Sequence, residues 1–464
     1  MKKIIYTIAF ITCGGAFLAS CSKDFTETKF FQSEQAEPLT TVEQLTSFVR
    51  GTYVKMRNAD YLGKNYRGYA ELHTDEMYST LNSGYFAIES RYAVTAASAM
   101  PEDIWTQIYQ VVGNANIVIG TSDNLTWGQS NDATQIANEI KRLKGQAYAI
   151  RALAFFDLLK LYGQKYTNGT LGVVLPTTYN TGAQQARATI AETETQIESD
   201  FAKALELMGT TTDVSDKTEI SSWAVKALMS RYYLYKGDMT TVATLVKEIY
   251  DSGNFSVIPS GDLQLSFTKE NAANSVFELA LGLNGALGTN SYDNIANSAG
   301  YANLAVLPST IALYDANDVR KNLIVDIFLD NKFSNLKGSS NIKVVRYEEV
   351  LLNGAEAVVA TDNATALKYY NAIRTNRGLT AATSVTLDDI KNERIRELVG
   401  EGFRYWDLLR WGATIPYYNE EGVADTTKNK TIGDYLLAFP IPEAETDAPG
   451  SLVKANPGYS NYKP

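Results

Sequence analysis

Apolar side chains recur every three or four residues along much of this chain, which is the spacing of one face of an α-helix. The clearest stripe runs from Ile136 to Leu161, and Gly163 follows it as a stop signal. A similar face extends from Ile104 to Ile119. Further amphipathic helices are predicted at 189–208, 221–236, 240–250, 346–359 and 364–377. The pattern therefore predicts a mainly helical protein.

The predicted helices fall in pairs. Near Ala224 and Ala227, small side chains allow close helix approach, and Tyr232 and Tyr235 fill the groove beside them before a turn at Gly237. Tetratricopeptide-like helix hairpins are built in this way. The spacing is not a strict array of about 34 residues, so we expect degenerate repeats that are interrupted by insertions.

Two long segments, 60–100 and 252–345, are rich in Tyr, Gly, Asn and Ser and have weak periodicity. A third, 413–464, contains prolines that exclude long helices. Long loops on a rigid scaffold often carry binding residues. We therefore expect the ligand to be held by the first two segments.

Aromatic rings can stack on the C–H face of a sugar, and Asn and Arg side chains can pair with neighbouring hydroxyls. The chain has 29 Tyr residues, although most tyrosines in a helical protein pack between helices. By this chemistry the candidate ligand contacts are Tyr78, Asn82, Tyr85, Phe86 and Arg91 in the first segment, and Asn284, Tyr292 and Tyr301 in the second.

The N-terminus resembles a lipoprotein signal peptide over residues 1–20. A basic pair at Lys2 and Lys3 precedes an apolar stretch too short to span a bilayer, and Leu-Ala-Ser then leads to Cys21. We expect Cys21 to be acylated and residues 21–38 to form a tether. The alternative is a plain secretory signal with an incidental cysteine. No later apolar run suits a membrane helix, so the lipid alone would anchor the chain.

Charge and cysteine content exclude several classes of protein. The net charge of −10 argues against nucleic acid or an anionic membrane as a partner. Of the two cysteines, Cys13 would leave with the signal peptide and Cys21 would carry lipid. The mature protein is therefore expected to have no disulfide and no thiolate metal site.

Three carboxylates spaced four residues apart, Glu393, Glu397 and Glu401, could in principle perform acid/base glycosidase chemistry. However, arginines crowd this segment, and Glu401–Arg404 and Asp407–Arg410 are expected helix neighbours. Guanidinium groups lower carboxyl pKa values, whereas a general acid needs a raised pKa. A structural ion-pair network is the favoured interpretation. Trp406 and Trp411 are expected to pack the repeats against the C-terminal loops.

Other catalytic or metal chemistry has little support. His73 is the only histidine, so a multi-histidine metal site is impossible, and we expect a loop or core residue with one satisfied nitrogen. Glu71, Asp75 and Glu76 could contribute to a calcium site, but a solvated turn is favoured. No cofactor and no metal site are predicted.

Several longer motifs resemble the SusD/RagB family. The strongest is Asn392 to Gly412, NERIRELVGEGFRYWDLLRWG, which resembles the family's C-terminal signature. Further matching motifs are Arg346 to Ala357, Tyr370 to Leu379, the FPIPE sequence from Phe439 to Glu443, Asn456 to Tyr459, Gly172 to Pro176, and Arg187 to Thr189. With the cysteine motif, the resemblance extends over essentially the whole chain.

The resemblance implies a right-handed superhelix of four tetratricopeptide-like helix hairpins with long irregular loops. It implies an N-terminal region at 39–250 and a C-terminal region at 251–464, packed as one body. Family members are Bacteroidetes outer-membrane lipoproteins that face the cell exterior and cover a SusC-like TonB-dependent β-barrel transporter. A non-catalytic protein that captures glycan is therefore expected. The alternatives are a peptide-binding RagB-type lipoprotein and a lipid-anchored glycoside hydrolase.

Overall fold

Helices form most of the structure. The computed structural model of the chain describes residues 38–179, 184–210 and 214–463. Helices of seven residues or more within these ranges are α1 Val42–Met56, α2 Ala99–Gly120, α3 Ala133–Tyr162, α4 Ile190–Met208, α5 Ser222–Lys236, α6 Met239–Ser252, α7 Tyr347–Val358, α8 Asn363–Thr375, α9 Leu387–Leu398 and α10 Arg404–Arg410. The mainly helical fold predicted from the sequence is confirmed.

Local sequence signals fix several helix ends. The Asp132 side chain accepts hydrogen bonds from the backbone N–H groups of Thr134 and Gln135, and so caps α3. Ser221 caps α5 in the same manner, and Gly237 ends it with a φ of 86°. Helices α2 and α3 begin five and three residues before the predicted apolar stripes.

Consecutive helices pack on one another along the chain. Each of α1 to α7 contacts the next, and α7 also contacts α5 and α9. One apolar core is shared by α1 through α10, and these helices lie within a single compact unit, Leu39–Tyr179 with Gln184–Pro464. The division at residue 250, the four-hairpin count and the right-handed superhelix stay predictions.

The predicted loop segments contain two small antiparallel sheets. Strand β1, Met77–Ser79, pairs with β3, Leu304–Val306, and places Tyr78 opposite Ala305. Strand β2, Ser275–Leu279, pairs with β4, Ile342–Arg346, and a register irregularity interrupts the pairing. The β1–β3 pairing joins the segment 60–100 to the segment 252–345.

Short helical turns lie between the longer helices and the strands. They comprise a π-helical turn at Ala59–Gly63 and the short α-helices Asn65–Tyr69, Leu263–Ser266, Tyr292–Ala296, Pro308–Ile311 and Glu443–Thr446, with 3-10 turns at Lys165–Thr167, Ser260–Asp262, Gly288–Asn290, Val319–Leu323, Thr426–Lys428 and Tyr435–Leu437.

The described ranges contain no helix with both the length and the apolar character needed to cross a bilayer. The predicted signal peptide, Cys21 and the tether as far as residue 37 lie outside the described residues, and their roles stay predictions.

Close approach of α6 and α7 depends on Gly354, and this yields a stability prediction. A Cβ atom at Gly354 would lie 2.4 Å from Val246 Cγ1 and 3.1 Å from Tyr369 Cε2. We expect Gly354→Ala to lower the free energy of unfolding by about 1–3 kcal/mol, because overpacking forces neighbours apart. Denaturant unfolding followed by circular dichroism measures the change.

The matched control is Gly113→Ala in α2, where a Cβ atom would meet nothing within 4 Å. This variant should gain about 0.5–1 kcal/mol, because alanine loses less backbone entropy than glycine on folding into a helix. Equal stability changes in the two variants would contradict the close packing of α6 on α7.

Candidate ligand-binding site

The β1–β3 pairing continues as side-chain hydrogen bonds between the two loop segments. Beyond β1, the Thr80 N–H donates to Asn303 O at 3.0 Å, and its hydroxyl donates to Ala302 O at 2.6 Å. The Ser83 hydroxyl donates to Asn303 Oδ1 at 2.7 Å. Residues 80–85 are therefore held against residues 301–303, although they are more than 200 positions apart in sequence.

Two partly exposed tyrosines meet at this junction. The rings of Tyr85 and Tyr301 lie 5.1 Å apart between centroids, at an interplanar angle of 58°. The Tyr85 hydroxyl donates to Asn290 Oδ1 at 3.3 Å, and Asn82 Nδ2 donates to the Tyr301 carbonyl at 3.1 Å. We call Asn82, Tyr85, Asn290 and Tyr301 the Tyr85–Tyr301 surface. It combines ring faces with carboxamides, which is the chemistry expected of a carbohydrate contact.

Phe86 and Tyr292, predicted as ligand contacts, lie in the core instead. They are 2% and 1% exposed. Phe86 packs against Gly68, where an added Cβ would lie 2.3 Å from Phe86 Cζ, and the Tyr292 ring meets Phe333 edge-on at 4.9 Å. Because neither ring offers a face to solvent, we remove both residues from the candidate site.

Tyr78 and Arg91 contact the C-terminal segment. Tyr78 is buried in a small cluster with Ala305 and Leu307, against which Tyr418 packs. The Arg91 guanidinium lies 3.9 Å from the Glu420 carboxylate. Asn284 is exposed on the loop that also carries Asn290. Of the eight predicted contacts, the hydrogen bonds and ring contacts therefore bring together Asn82, Tyr85 and Tyr301.

Sequence reasoning missed Asn290 and Lys64. Asn290 follows Gly-Thr in an Asn-rich loop, and that composition was the available signal. The Lys64 ammonium lies 4.4 Å from the centroid of the Tyr85 ring. Its position depends on a π-helical turn that has no recognised sequence pattern.

The signature carboxylates form a buried ion-pair network, as predicted. Glu397 accepts hydrogen bonds from Arg377 at 2.9 Å and from Arg346 and Arg320 at 3.1 Å. Burial alone would raise the Glu397 pKa, but the three guanidinium groups outweigh it and hold the pKa below its usual value. The pKa of Glu393 is lowered in the same way. Neither carboxyl is suited to act as a general acid at neutral pH.

Glu401 departs from the prediction, because α9 ends at Leu398 and Gly400 adopts a φ of 77°. Glu401 therefore does not continue the helix face of Glu393 and Glu397. It accepts from Arg346 at 2.7 Å, whereas Arg404 donates to Asp75 at 2.6 Å. The expected pair of Asp407 with Arg410 is confirmed at 2.8 Å.

Both signature tryptophans take part in internal packing. Trp406 stacks on Tyr66 at 6.1 Å, so it contacts the first loop segment. The Trp411 Nε1–H donates to Glu356 Oε1 of α7 at 2.8 Å. Neither contact provides a flat sugar-stacking platform.

His73 is buried and stacks on Tyr92 at 3.8 Å, with Nε2 lying 3.0 Å from the Glu89 carbonyl oxygen. Burial lowers its pKa to about 4, so the ring is neutral at physiological pH. The prediction of one satisfied nitrogen is confirmed.

The acidic cluster beside His73 is not a solvated turn. Glu71 and Glu76 are buried, and Asp75 pairs with Arg404. Burial raises the Glu71 pKa to about 7, and burial together with repulsion from Glu71 raises the Glu76 pKa well above its usual value. Burial therefore favours the protonated, uncharged form of these two side chains. Within the described ranges, no group of three His, Cys, Asp or Glu residues is arranged to hold a metal ion.

A helical scaffold with a small aromatic and carboxamide surface is typical of a binding protein. Residues 28–234 match a SusD-like family described as starch-binding and associating with the outer membrane, and residues 319–459 match the SusD family itself. The chain belongs to the SusD/RagB family.

Relatives and solved structures agree with this assignment. A SusD-like protein of Bacteroides ovatus is 20% identical, across 91% of this chain and 85% of that protein. The crystal structure of a SusD superfamily protein from Bacteroides thetaiotaomicron superposes with a TM-score of 0.80 at 26% identity, covering 90% of this chain and all of that one. The crystal structure of a candidate sugar-binding protein from Bacteroides vulgatus superposes with a TM-score of 0.81 at 26% identity, covering 91% of this chain and 99% of that one.

The network around Glu397 yields a prediction about stability and pH. We expect Glu397→Gln to lower the free energy of unfolding by about 3–5 kcal/mol at pH 7, because it leaves buried arginines without their shared partner. Because folding lowers the Glu397 pKa, the ionised carboxylate stabilises the fold at pH values above about 4.5. This stabilisation is lost as the pH falls through the pKa of the folded state. Denaturant unfolding between pH 3 and 7 should show a smaller acid-side loss in the variant.

Glu206→Gln is the control, because Glu206 forms an exposed pair with Lys203 at 2.6 Å. Its removal should change the free energy of unfolding by no more than about 1 kcal/mol. If both variants unfolded alike across this pH range, the Glu397 network would not be a main support of the fold.

Proposed function

We propose that this protein is a non-catalytic, cell-surface lipoprotein that captures glycan and delivers it to a SusC-like TonB-dependent transporter in the outer membrane. The observation that carries the proposal is the Tyr85–Tyr301 surface. Membership of a family described as starch-binding and associating with the outer membrane supports the same ligand class and location.

The Tyr85–Tyr301 surface suits a sugar because both kinds of contact are held in place before binding. The β1–β3 pairing fixes the two loop segments, so little loop ordering is needed when ligand arrives. The tilted rings offer apolar area for C–H stacking. The Asn82 and Asn290 carboxamides each retain an atom that the bonds to Tyr301 and Tyr85 do not use.

Weak binding at this surface is sufficient for capture. A dissociation constant in the millimolar range corresponds to only about −4 kcal/mol. A polymer offers many equivalent sugar units, and several engaged receptors on one cell surface raise the effective affinity. A small site is therefore compatible with nutrient uptake.

Binding without hydrolysis follows from the carboxyl chemistry. The carboxyl groups of the signature segment are held ionised by arginines and lysine, and the Glu71–Glu76 pair lies in the core. Incubation with a polysaccharide and peptide panel separates the candidate functions. Retention of glycan without new reducing ends supports the proposal, product release supports a hydrolase, and retention of peptide alone supports the RagB-type alternative.

A variant of the surface tests the site directly. We expect Tyr85→Ala combined with Tyr301→Ala to weaken glycan retention about tenfold or more, which corresponds to about 1.4 kcal/mol, because both stacking faces are lost. Affinity electrophoresis against retained polysaccharides measures the change. Tyr462→Ala, which removes a 40% exposed tyrosine of the C-terminal segment, is the control. Equal retention in the double variant and the control would place the ligand elsewhere.

The anchor is tested at Cys21. We expect Cys21→Ala to abolish incorporation of labelled palmitate and to release the protein from the membrane fraction, because the thiol is the proposed acyl acceptor. Cell fractionation with immunoblotting, beside a Ser20→Ala control, measures the redistribution. Continued membrane association of unacylated Cys21→Ala protein would refute lipid anchoring.

A further inference from the structure

Lys64 is a buried cation at the edge of the proposed glycan site. The residue is 5% exposed, and its ammonium lies 4.4 Å from the centroid of the Tyr85 ring. Across residues 38–179, 184–210 and 214–463, no carboxylate lies within the 4.0 Å ion-pair distance of this ammonium, and its nitrogen makes no hydrogen bond. A ring face is thus its closest electrostatic partner.

Three other buried lysines each pair with a carboxylate. Lys160 pairs with Asp157 at 2.9 Å, Lys332 with Glu401 at 2.8 Å, and Lys343 with Glu278 at 2.6 Å. Each of these three is close to a carboxylate, as burial of a charge requires. Lys64 departs from this rule at the position where the chain meets the Tyr85–Tyr301 surface.

The backbone places Lys64 by a constrained turn. The π-helical turn Ala59–Gly63 precedes it, and a Cβ atom at Gly63 would lie 2.5 Å from Arg57 O and 2.8 Å from Leu287 Cδ1. Only glycine fits that approach, so Lys64 is fixed between the turn and the loop that carries Asn290. Single π-helical turns occur frequently at functional sites.

Asp60, the acidic residue that acts on the Lys64 pKa, does not pair with Lys64. Asp60 accepts a hydrogen bond from Asn65 Nδ2 at 3.1 Å and forms no ion pair with Lys64. Burial lowers the Lys64 pKa, and Asp60 opposes this shift only in part. The ammonium therefore has no carboxylate partner among the described residues.

We propose that Lys64 pairs with an anionic group of the bound glycan, a uronate carboxylate or a sulfate ester, beside the Tyr85–Tyr301 surface. The inference rests on the proposed function and narrows its substrate class to acidic glycans. The chain's net charge of −10 repels such a polymer at long range. Recognition must therefore come from a short-range contact, and a charge-assisted hydrogen bond from a partly desolvated ammonium supplies one.

The test begins with a panel of uronate-containing, sulfated and neutral polysaccharides, each presented to the wild-type protein. Any acidic glycan that is retained is then compared with its own neutral derivative, made by methyl esterification of the uronates or by desulfation. These two derivatives also distinguish carboxylate from sulfate as the recognised group. Isothermal titration at low and raised salt gives the dissociation constants.

Three variants separate charge recognition from packing. Lys64→Met keeps the apolar stem and removes the charge, Lys64→Arg keeps the charge, and Lys141→Met removes an exposed lysine of α3 as a matched control. We expect Lys64→Met to weaken acidic-glycan binding about tenfold and to leave the neutral derivative within about twofold. Lys64→Arg should retain the preference for the acidic form, and Lys141→Met should bind like wild type.

The possible results distinguish failure of this inference from failure of the proposed function. Retention of neutral glycans alone would overturn the inference and leave the proposed function standing, whereas retention of no glycan would remove both. Equal weakening of acidic and neutral binding in Lys64→Met, with a lowered free energy of unfolding, would show that Lys64 only supports the Tyr85 ring. Loss confined to the acidic ligand, together with a weaker salt dependence, supports the inference.

Discussion

Glu397 is the buried charge on which the arrangement of the loop segments depends. It accepts hydrogen bonds from Arg320 in the second loop segment, from Arg346 at the end of β4, and from Arg377 just after α8. A buried carboxylate is tolerated only where donors surround it. The same requirement fixes the arginines, because Arg320 also pairs with Asp318 at 2.7 Å. Helix α9 thereby holds the irregular segment 252–345 to the regular scaffold.

The proposed binding surface follows from this anchoring in two steps. The anchored segment carries β3, and β3 pairs with β1 from the first loop segment. The residues just beyond these strands then bring Tyr85 against Tyr301. A surface assembled from two distant segments keeps its shape only if both are held independently of ligand. The ion-pair network and the strand pairing supply those two restraints, and little of the binding free energy is spent on ordering the loops.

The helices could be predicted from sequence because their signals are local. Stripes such as that of α3, and caps such as Ser221, depend on neighbours within one or two turns. The chemistry of the signature segment could also be predicted, since arginines crowd Glu393 and Glu397 in sequence. The distant partners of the signature segment could not be predicted, because Arg320 approaches Glu397 only through tertiary folding.

Composition alone does not predict which loop residues are buried and which reach the surface. Tyr85 and Tyr292 occupy similar Asn- and Ser-rich segments, yet Tyr292 lies in the core against Phe333 and Tyr85 reaches the surface. The difference lies in long-range pairing, which leaves no periodic signal in such segments. Lys64 was missed for the same reason, because its position depends on the contact of Gly63 with Leu287.

The contrast between Glu397 and Lys64 links stability to recognition. In the scaffold, Lys332 and Lys343 each pair with a buried carboxylate. A buried ammonium without such a partner costs stability, and a cation–π contact with one ring offsets only part of that cost. Departures from local structural rules, such as a buried charge without a counter-charge, concentrate at functional sites. The ion pairs around Glu397 stabilise the scaffold and so offset the cost of the unpaired ammonium beside Tyr85, and in our proposal an acidic ligand supplies the missing negative group.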